Sequence, residues 1–290
     1  AIGAASVLFA VVSFGKLLVA LKFQSNFASA ILPSAPQDAF AGKVFWITGA
    51  SSGIGRALAL HVCSNHDNIK LILSSRRKGA LEEVAADCRK RGADGIEVKV
   101  LTVDLSDLTS LPSKAKKALG MYGGHIDVLV NNGGVTTRSF ARDSGFDVDS
   151  HVTNVDFLSY VSLTKALIPS WESQSSSKPL IINTSSVAGK VGVPVRTSYC
   201  GAKFAIQGWF DAFRIEQLMV GHPVDVLNVV LGSTRTNVAR NAITESTDKS
   251  FGESDSNIEG GLDPEFVVGR VLATAYAGHK EIWIAPKKEM

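Results

Sequence analysis

Residues 43–58, KVFWITGASSGIGRAL, join an apolar, β-prone run to a glycine-rich turn and a helix-compatible segment. Few folds accommodate that order. Val44 to Thr48 reads as a strand, Gly49 to Gly55 as a tight turn, and the residues from Ile54 onward as a helix. Gly49 permits a backbone conformation that a Cβ opposes, while Gly53 and Gly55 allow a ligand or a neighbouring strand to come close. The free N–H groups at the helix start, together with the helix dipole, favour a bound phosphate. The spacing Thr-Gly-x-x-x-Gly-x-Gly is a variant of the turn that holds a dinucleotide pyrophosphate. Glycines also serve ordinary loops, so the turn by itself does not separate a dinucleotide from another phosphate ligand or from no ligand.

The rest of the chain narrows the choice. Further short apolar runs at 70–74, 97–103, 127–131, 178–184, 225–231 and 281–285 read as strands. They are continuous rather than alternating, as parallel strands covered on both faces require. Helical segments at 80–91, 108–119, 146–168, 199–219 and 264–277 separate them. Strand–helix alternation of this kind predicts an α/β, Rossmann-type doubly wound sheet of seven parallel strands with helices on both faces. It forms a single domain over 42–290, behind a linker at 24–41 that contains Pro33 and Pro36.

Residues 1–23 are almost entirely apolar, interrupted by Lys16 and Lys22. About twenty such residues suffice for a bilayer span, and a lysine in the run snorkels or costs a few kcal/mol. The expectation is a membrane anchor. A helix lying in one leaflet is the second reading and a cleaved signal peptide the third, disfavoured because no basic segment precedes the run. The net charge of +3 and the lack of a long basic run argue against nucleic-acid binding. The three cysteines, Cys63, Cys88 and Cys200, show neither metal-ligand spacing nor a disulfide framework, and no metal is expected.

Several stations follow the glycine turn in order: Asp104, Asn131-Asn132-Gly133-Gly134, Asn154, Ser185-Ser186, Tyr199-Cys200-Gly201-Ala202-Lys203 and Gly232 to Thr236. Tyr-x-x-x-Lys alone is common by chance. Placed thirteen residues after a serine that ends a buried strand, behind an upstream Asn and the glycine turn, it is specific. In this the chain resembles the short-chain dehydrogenase/reductase family over residues 42–286. The hydrophobic N-terminus, the Asn-Asn-Gly-Gly variant and the closing Glu281-Ile282-Trp283-Ile284 are similar to the membrane-anchored, endoplasmic-reticulum branch of that family, the dehydrogenase/reductase member 7 group. Two departures stand out. Gly133 replaces the family's alanine, and Leu231 replaces the proline before Gly232, which is expected to free the backbone there.

The resemblance implies hydride transfer between a nicotinamide cofactor and a carbonyl or alcohol. Tyr199 is the expected proton donor and acceptor. A free phenol ionises near pH 10. Lys203, one helical turn on, favours the phenolate by its positive charge. The family pattern also has Lys203 hold the nicotinamide ribose, Ser186 hydrogen-bond the substrate oxygen, and Asn154 hold a water next to Lys203. Each has a plainer alternative: a helix cap for Ser186, a surface pair for Tyr199 and Lys203, a surface residue for Asn154. Taken together in this order, the plainer alternatives lose.

Cofactor choice turns on the end of the second strand. Ser74-Ser75-Arg76-Arg77 stands where an acidic residue would bind the ribose of NAD. A guanidinium there suits a 2′-phosphate, so NADP(H) is expected. The expected cofactor contacts are Gly49, Ser51, Ser52, Gly53, Ile54, Gly55, Arg76, Arg77, Asp104, Leu105, Asn131, Gly133, Tyr199, Lys203, Gly232 and Thr236. Thr136, Arg138, Val193 and Cys200 are expected at the substrate pocket, and the polar stretch 237–262 as its lid.

The leading expectation is a membrane-attached NADP(H)-dependent oxidoreductase acting on a small lipophilic carbonyl or alcohol, such as a steroid, retinoid, quinone or lipid. The endoplasmic reticulum is its expected place, with the mitochondrial membrane as the alternative. A catalytically idle nucleotide-binding subunit of a larger membrane assembly competes with it, as does an NAD-dependent alcohol oxidase of the same fold. The long helices at 146–168 and 199–219 resemble the family's dimerising pair, although their apolar faces equally serve an internal core. A homodimer and a membrane complex both stay open.

Overall fold

β-Branched and aromatic runs account for the sheet. β1 (Val44–Thr48), β2 (Lys70–Ser75), β3 (Glu97–Thr102), β4 (Val128–Asn131), β5 (Leu180–Ser186), β6 (Asp225–Leu231) and β7 (Glu281–Ile284) form one sheet in the order β3-β2-β1-β4-β5-β6-β7. Every neighbouring pair is parallel. The computed structural model describes residues 32–92, 95–173 and 178–289, and the expected anchor at 1–23 lies outside them. Among the described residues no helix is long and apolar enough to cross a membrane.

Parallel strands need crossovers, and helices supply them. α1 (Gly53–Asn65), α2 (Lys78–Arg91) and, near the C-terminus, α8 (Pro264–Tyr276) cover one face. α3 (Leu111–Met121), α5 (Ser159–Glu172) and α6 (Thr197–Met219) cover the other. Successive strand residues point to opposite faces. Phe45 and Ile47 of β1 therefore join the first core, and Val44 and Trp46 the second. Both layers are apolar, which is why these strands read as unbroken hydrophobic runs. Trp46 is fully buried, and its indole N–H donates to Ser74 Oγ at 2.9 Å.

Helix starts follow their caps. Asp263 accepts from the Glu265 N–H at 2.8 Å, with Pro264 at the first helical position, so α8 begins where the sequence places it. The expected single helix at 146–168 is instead α4 (Phe146–Thr153), a π-helical turn at Asn154–Leu158, and α5. The Ser159 N–H bonds to Asn154 O, five residues back. A wide turn of this kind rotates every later side chain relative to a regular helix, and the site below depends on it.

Residues 32–41, the end of the segment read as a linker, pack on the domain. Phe40 is buried, edge-on to Phe45 at 5.4 Å between ring centres, and Arg270 donates to Leu32 O at 2.7 Å. The stretch after β6 also gains order. Ile243 exchanges backbone hydrogen bonds with Thr136 and Arg138, both 2.8 Å, and α7 (Ser256–Glu259) starts at Asp255.

Candidate active site

The strand order reverses between β1 and β4, so the crossovers on either side leave in opposite directions. A crevice opens at the C-terminal ends of the strands there. It is a cleft of about 580 Å³ running from Arg76 and Arg77 past Gly49 to Tyr199 and Ser186.

The glycine turn forms the floor. Gly49 has φ +66°, and a Cβ on it would stand 2.6 Å from Gly133 Cα. A Cβ on Gly55 would stand 2.5 Å from Asn132 Nδ2, so α1 lies against the end of β4 only because that position is bare. Gly55 shapes the turn from behind and does not line the cleft, whereas Gly49, Ser51, Ser52, Gly53 and Ile54 do. Thr48 ties the two strands together. Its hydroxyl donates to Val130 O at 3.0 Å and accepts from the Asn132 N–H at 2.9 Å. The Asn132 amide donates to Thr48 O and accepts from Thr184 Oγ1, which joins β1, β4 and β5 at one point.

Asn131 departs from expectation. Its side chain is fully buried and donates to Asn183 Oδ1 at 2.9 Å, and Asn183 in turn donates to Asn228 Oδ1 at 3.1 Å. The three asparagines are register neighbours across β4, β5 and β6. Asn131 thus serves the sheet, and its neighbour Asn132 faces the cleft. The pleat puts alternate residues on opposite faces, and the sequence Asn-Asn does not say which is which.

The Arg76–Arg77 end of the cleft carries charge. Arg77 reaches back over the glycine turn and donates to Ser51 Oγ at 3.1 Å and Ser52 Oγ at 3.2 Å, while Arg76 is exposed. Asp104 accepts from the Ser106 N–H and hydroxyl through one oxygen. Leu105 fills the space left bare at Gly133, where a Cβ would meet Leu105 Cδ1 at 2.5 Å. At the other end, the backbone beside Leu231 is tied rather than freed. The Gly232 N–H bonds to Ile284 O at 3.0 Å, and the Ser233 N–H donates to Glu289 Oε2 at 2.7 Å. Leu231 replaces proline as an ordinary member of β6. Thr236 lies over the glycine turn, 3.3 Å from where a Gly53 Cβ would be.

Ser186, Tyr199 and Lys203 come together at the cleft. Ser186 ends β5, and its oxygen accepts from the Ala188 N–H at 3.1 Å. That bond uses a lone pair and leaves the hydroxyl hydrogen to donate. Ser185 is spent elsewhere, accepting from Gln207 Nε2 at 2.9 Å. Lys203 Nζ lies 5.5 Å from the Tyr199 ring centre. Val193 and Cys200 do not line the cleft: the Cys200 sulfur accepts from the Val193 N–H. Thr136 and Arg138 do line it.

The position expected for Asn154 is filled by another residue. Asn154 does not line the cleft. The π turn brings Asp156 round to face the sheet, fully buried, with Oδ2 3.1 Å from Lys203 Nζ and Oδ1 accepting from the Val135 N–H at 2.7 Å. Burial pushes the Asp156 carboxyl above its ordinary pKa, and the Lys203 charge and the Val135 N–H oppose that. Burial works against the Lys203 ammonium, but Asp156, Tyr160 and Tyr199 outweigh it and raise its pKa. Lys203 also donates to Thr184 O at 3.0 Å, so two of its three N–H groups are committed. An acidic residue inside the apolar run Val155-Asp156-Phe157-Leu158 was the available signal, because a buried charge requires a partner.

A glycine cradle at a helix start, arginines at one end and a Ser–Tyr–Lys cluster at the other suit a dinucleotide with its nicotinamide beside Tyr199. The family model described as short chain dehydrogenase matches residues 43–247. The chain belongs to the short-chain dehydrogenase/reductase family, whose members are oxidoreductases. Within that family its resemblance is to the dehydrogenase/reductase member 7 group. It is 36% identical over 251 residues to an Anopheles gambiae protein named dehydrogenase/reductase SDR family protein 7-like, covering 84% of this chain and 75% of that one. It is 32% identical to the Homo sapiens dehydrogenase/reductase SDR family member 7, covering 86% and 72%. Solved structures agree on the fold. A Burkholderia phymatum short-chain dehydrogenase/reductase in complex with NAD superposes with a TM-score of 0.74 at 22% identity, over 85% of this chain and 90% of that one. A Thermococcus sibiricus alcohol dehydrogenase complexed with 5-hydroxy-NADP gives 0.69 at 23%, over 84% and 96%.

Proposed function

We propose that this protein is an NADP(H)-dependent reductase of a carbonyl on a small lipophilic substrate, held at the endoplasmic-reticulum membrane by residues 1–23. The observation that carries it is one cleft with Arg76 and Arg77 at one end and Ser186, Tyr199 and Lys203 at the other. The absence of an acidic residue at 74–77, and Arg77 poised over Ser51 and Ser52, support a 2′-phosphate over a free ribose hydroxyl. Gly49 to Ile54 would hold the pyrophosphate, Asp104 and Leu105 the adenosine, and Gly232 and Thr236 the nicotinamide end.

When bound, the cofactor supplies the hydride. Tyr199 donates its proton to the carbonyl oxygen, and Ser186 donates a hydrogen bond to the same oxygen as charge develops on it. The Lys203 ammonium, pinned by Asp156 and Thr184, stabilises the resulting phenolate. Asp156 keeps that ammonium charged and in place, and also moderates its field at Tyr199.

Purified protein with NADPH and a panel of retinoids, steroids and quinones tests the reading. Turnover is expected, with a loss of roughly a hundredfold or more in Tyr199→Phe. Absence of NADP(H) binding, or turnover unaffected by Tyr199→Phe, overturns it.

A further inference from the structure

Two arginines stand in the wall of the cleft, and the reaction above uses neither. Arg138 follows Thr137, which bridges to Ile243 of the 237–262 stretch. Arg196 is the last residue before α6, three positions ahead of Tyr199. Both line the cleft that holds Tyr199 and Ser186. Their side chains are only 9% and 23% exposed.

One carboxylate faces both. Arg138 Nη2 lies 2.8 Å from Asp255 Oδ2, and Arg196 Nη2 lies 3.6 Å from the same oxygen. Asp255 Oδ1 is taken by the Asn257 N–H at 2.9 Å, where it caps α7. Arg138 is further satisfied by Thr137 O at 3.0 Å. Arg196 differs. Its guanidinium makes no hydrogen bond among the described residues, and its Nε is buried without a partner. Five N–H donors in a fixed fork are thus held near the reacting tyrosine with a single long ion pair between them. Burial and the charge of Arg138 push the Arg196 pKa down, although Tyr199 and Asp255 oppose this.

The remaining acids of the cleft wall are committed. Asp156 serves Lys203, Asp104 serves Ser106, and Glu289 accepts from the Ser233 N–H. The substrate end therefore carries two positive charges against one negative. An arginine Nε–H buried without a partner is costly to maintain, and a planar oxyanion that binds bidentately through Nε and Nη removes the cost. Val195, just before Arg196, holds φ 58°, an unfavourable backbone conformation for a β-branched residue that sets where the arginine enters. Val135, Val155 and Ile258 supply apolar surface in the same cleft.

We propose that the substrate is amphiphilic, an apolar body bearing the carbonyl together with a carboxylate that docks on the guanidinium of Arg196, with Arg138 beside it. This rests on the reductase reading and names the substrate class within it. The carboxylate completes the hydrogen bonding of Arg196, sets the distance from anchor to reacting carbonyl, and selects oxo acids over neutral ketones of the same shape.

The test uses the full chain loaded with NADP⁺ and calorimetric titration of 5-oxohexanoate, 4-acetylbenzoate and 12-oxododecanoate, each beside its methyl ester. At least one acid is expected to bind tenfold or more tighter than its ester, and Arg196→Gln is expected to abolish that preference while ester binding stays within about threefold. If Arg196 merely fastens Asp255 and α7, the substitution weakens acid and ester alike, and the inference falls. It falls equally if no acid outbinds its ester in the unsubstituted protein. Binding of NADP⁺ itself, measured first, and NADPH-dependent turnover of the esters report separately on the reductase reading.

Discussion

Replacing Asp156 by asparagine removes one charge and little else. The side chain keeps its shape, and its oxygen can still accept from the Val135 N–H. The Lys203 side chain is 4% exposed, so without the carboxylate 3.1 Å from its Nζ it stands as a buried charge whose remaining hydrogen bond is to Thr184 O. Removing one partner of a buried ion pair costs about 3–5 kcal/mol, because the other charge is left uncompensated. Asp156→Asn is therefore expected to lower stability near neutral pH by about 3 kcal/mol or more. Urea denaturation followed by circular dichroism reads this directly. The double variant Asp156→Asn, Lys203→Met removes both charges and is expected to recover most of the loss. The charged and titratable groups around the pair are Tyr160 on α5, Tyr199 on α6 and His151 on α4, and none of them changes in the variant. Asp156→Ser, smaller and also neutral, carries the same expectation. A loss below about 1 kcal/mol, or a double variant no more stable than Asp156→Asn alone, would refute the reasoning, because the Lys203 ammonium would then not depend on Asp156 for its counter-charge.

Other consequences are sharper in stability than in chemistry. Gly49→Ala places a Cβ 2.6 Å from the Gly133 backbone at φ +66°, so a loss of about 3 kcal/mol or more in urea unfolding is expected, together with loss of NADP(H) binding. Gly133→Ala meets the end of the Leu105 side chain at 2.5 Å, which can rotate, and the Gly49 backbone N at 3.1 Å, which need give by only a few tenths of an ångström; a smaller cost of about 1–2 kcal/mol with cofactor binding retained is expected. Equal costs for the two would contradict this account of the turn. Asp127 lies beneath Lys43, His125 and the Val44 N–H. Burial raises its carboxyl pKa, but the Val44 N–H, Lys43 and His125 outweigh burial and leave it below the ordinary range. A depressed carboxylate contributes stability that is present above the unfolded pKa and is lost as pH falls through the folded one. Asp127→Asn is therefore expected to lower stability near pH 7 by about 1–3 kcal/mol, with a difference from the unsubstituted protein that narrows below about pH 4 in denaturation series run at each pH.

The sheet and most of the cleft were legible because their signals are local. A continuous run such as Val44 to Thr48 has one economical fate, a strand covered on both faces. The glycine turn works through bare positions at set spacing, and Tyr199 and Lys203 share a helix face whatever the helix packs against. Strand ends were legible only within a residue or two: β5 extends through Ser186, which the apolar pattern ended at Thr184. The hydroxyls of Ser185 and Ser186 point to different partners, and the thirteen-residue spacing to Tyr199 had favoured the one that remains open to the cleft.

Asn154 and Asp156 mark where local reasoning stops. In a regular helix the two positions lie about 200° apart, and a single five-residue turn decides which of them faces the lysine. α4 and the turn itself pack against α6, and no short-range pattern encodes that contact. The same holds for Asn131, whose place in a three-strand asparagine ladder requires the registers of β4, β5 and β6 together. It holds again for Asp255, more than a hundred residues from Arg138 in sequence and 2.8 Å away in space. From the sequence alone came the doubly wound fold, the glycine turn and the grouping of Ser186, Tyr199 and Lys203, because each is written in residues one strand or one helical turn apart. Only the tertiary structure decided which acid holds Lys203 and which of Arg138 and Arg196 makes no side-chain hydrogen bond among the described residues, because those outcomes depend on side chains that distant elements bring together.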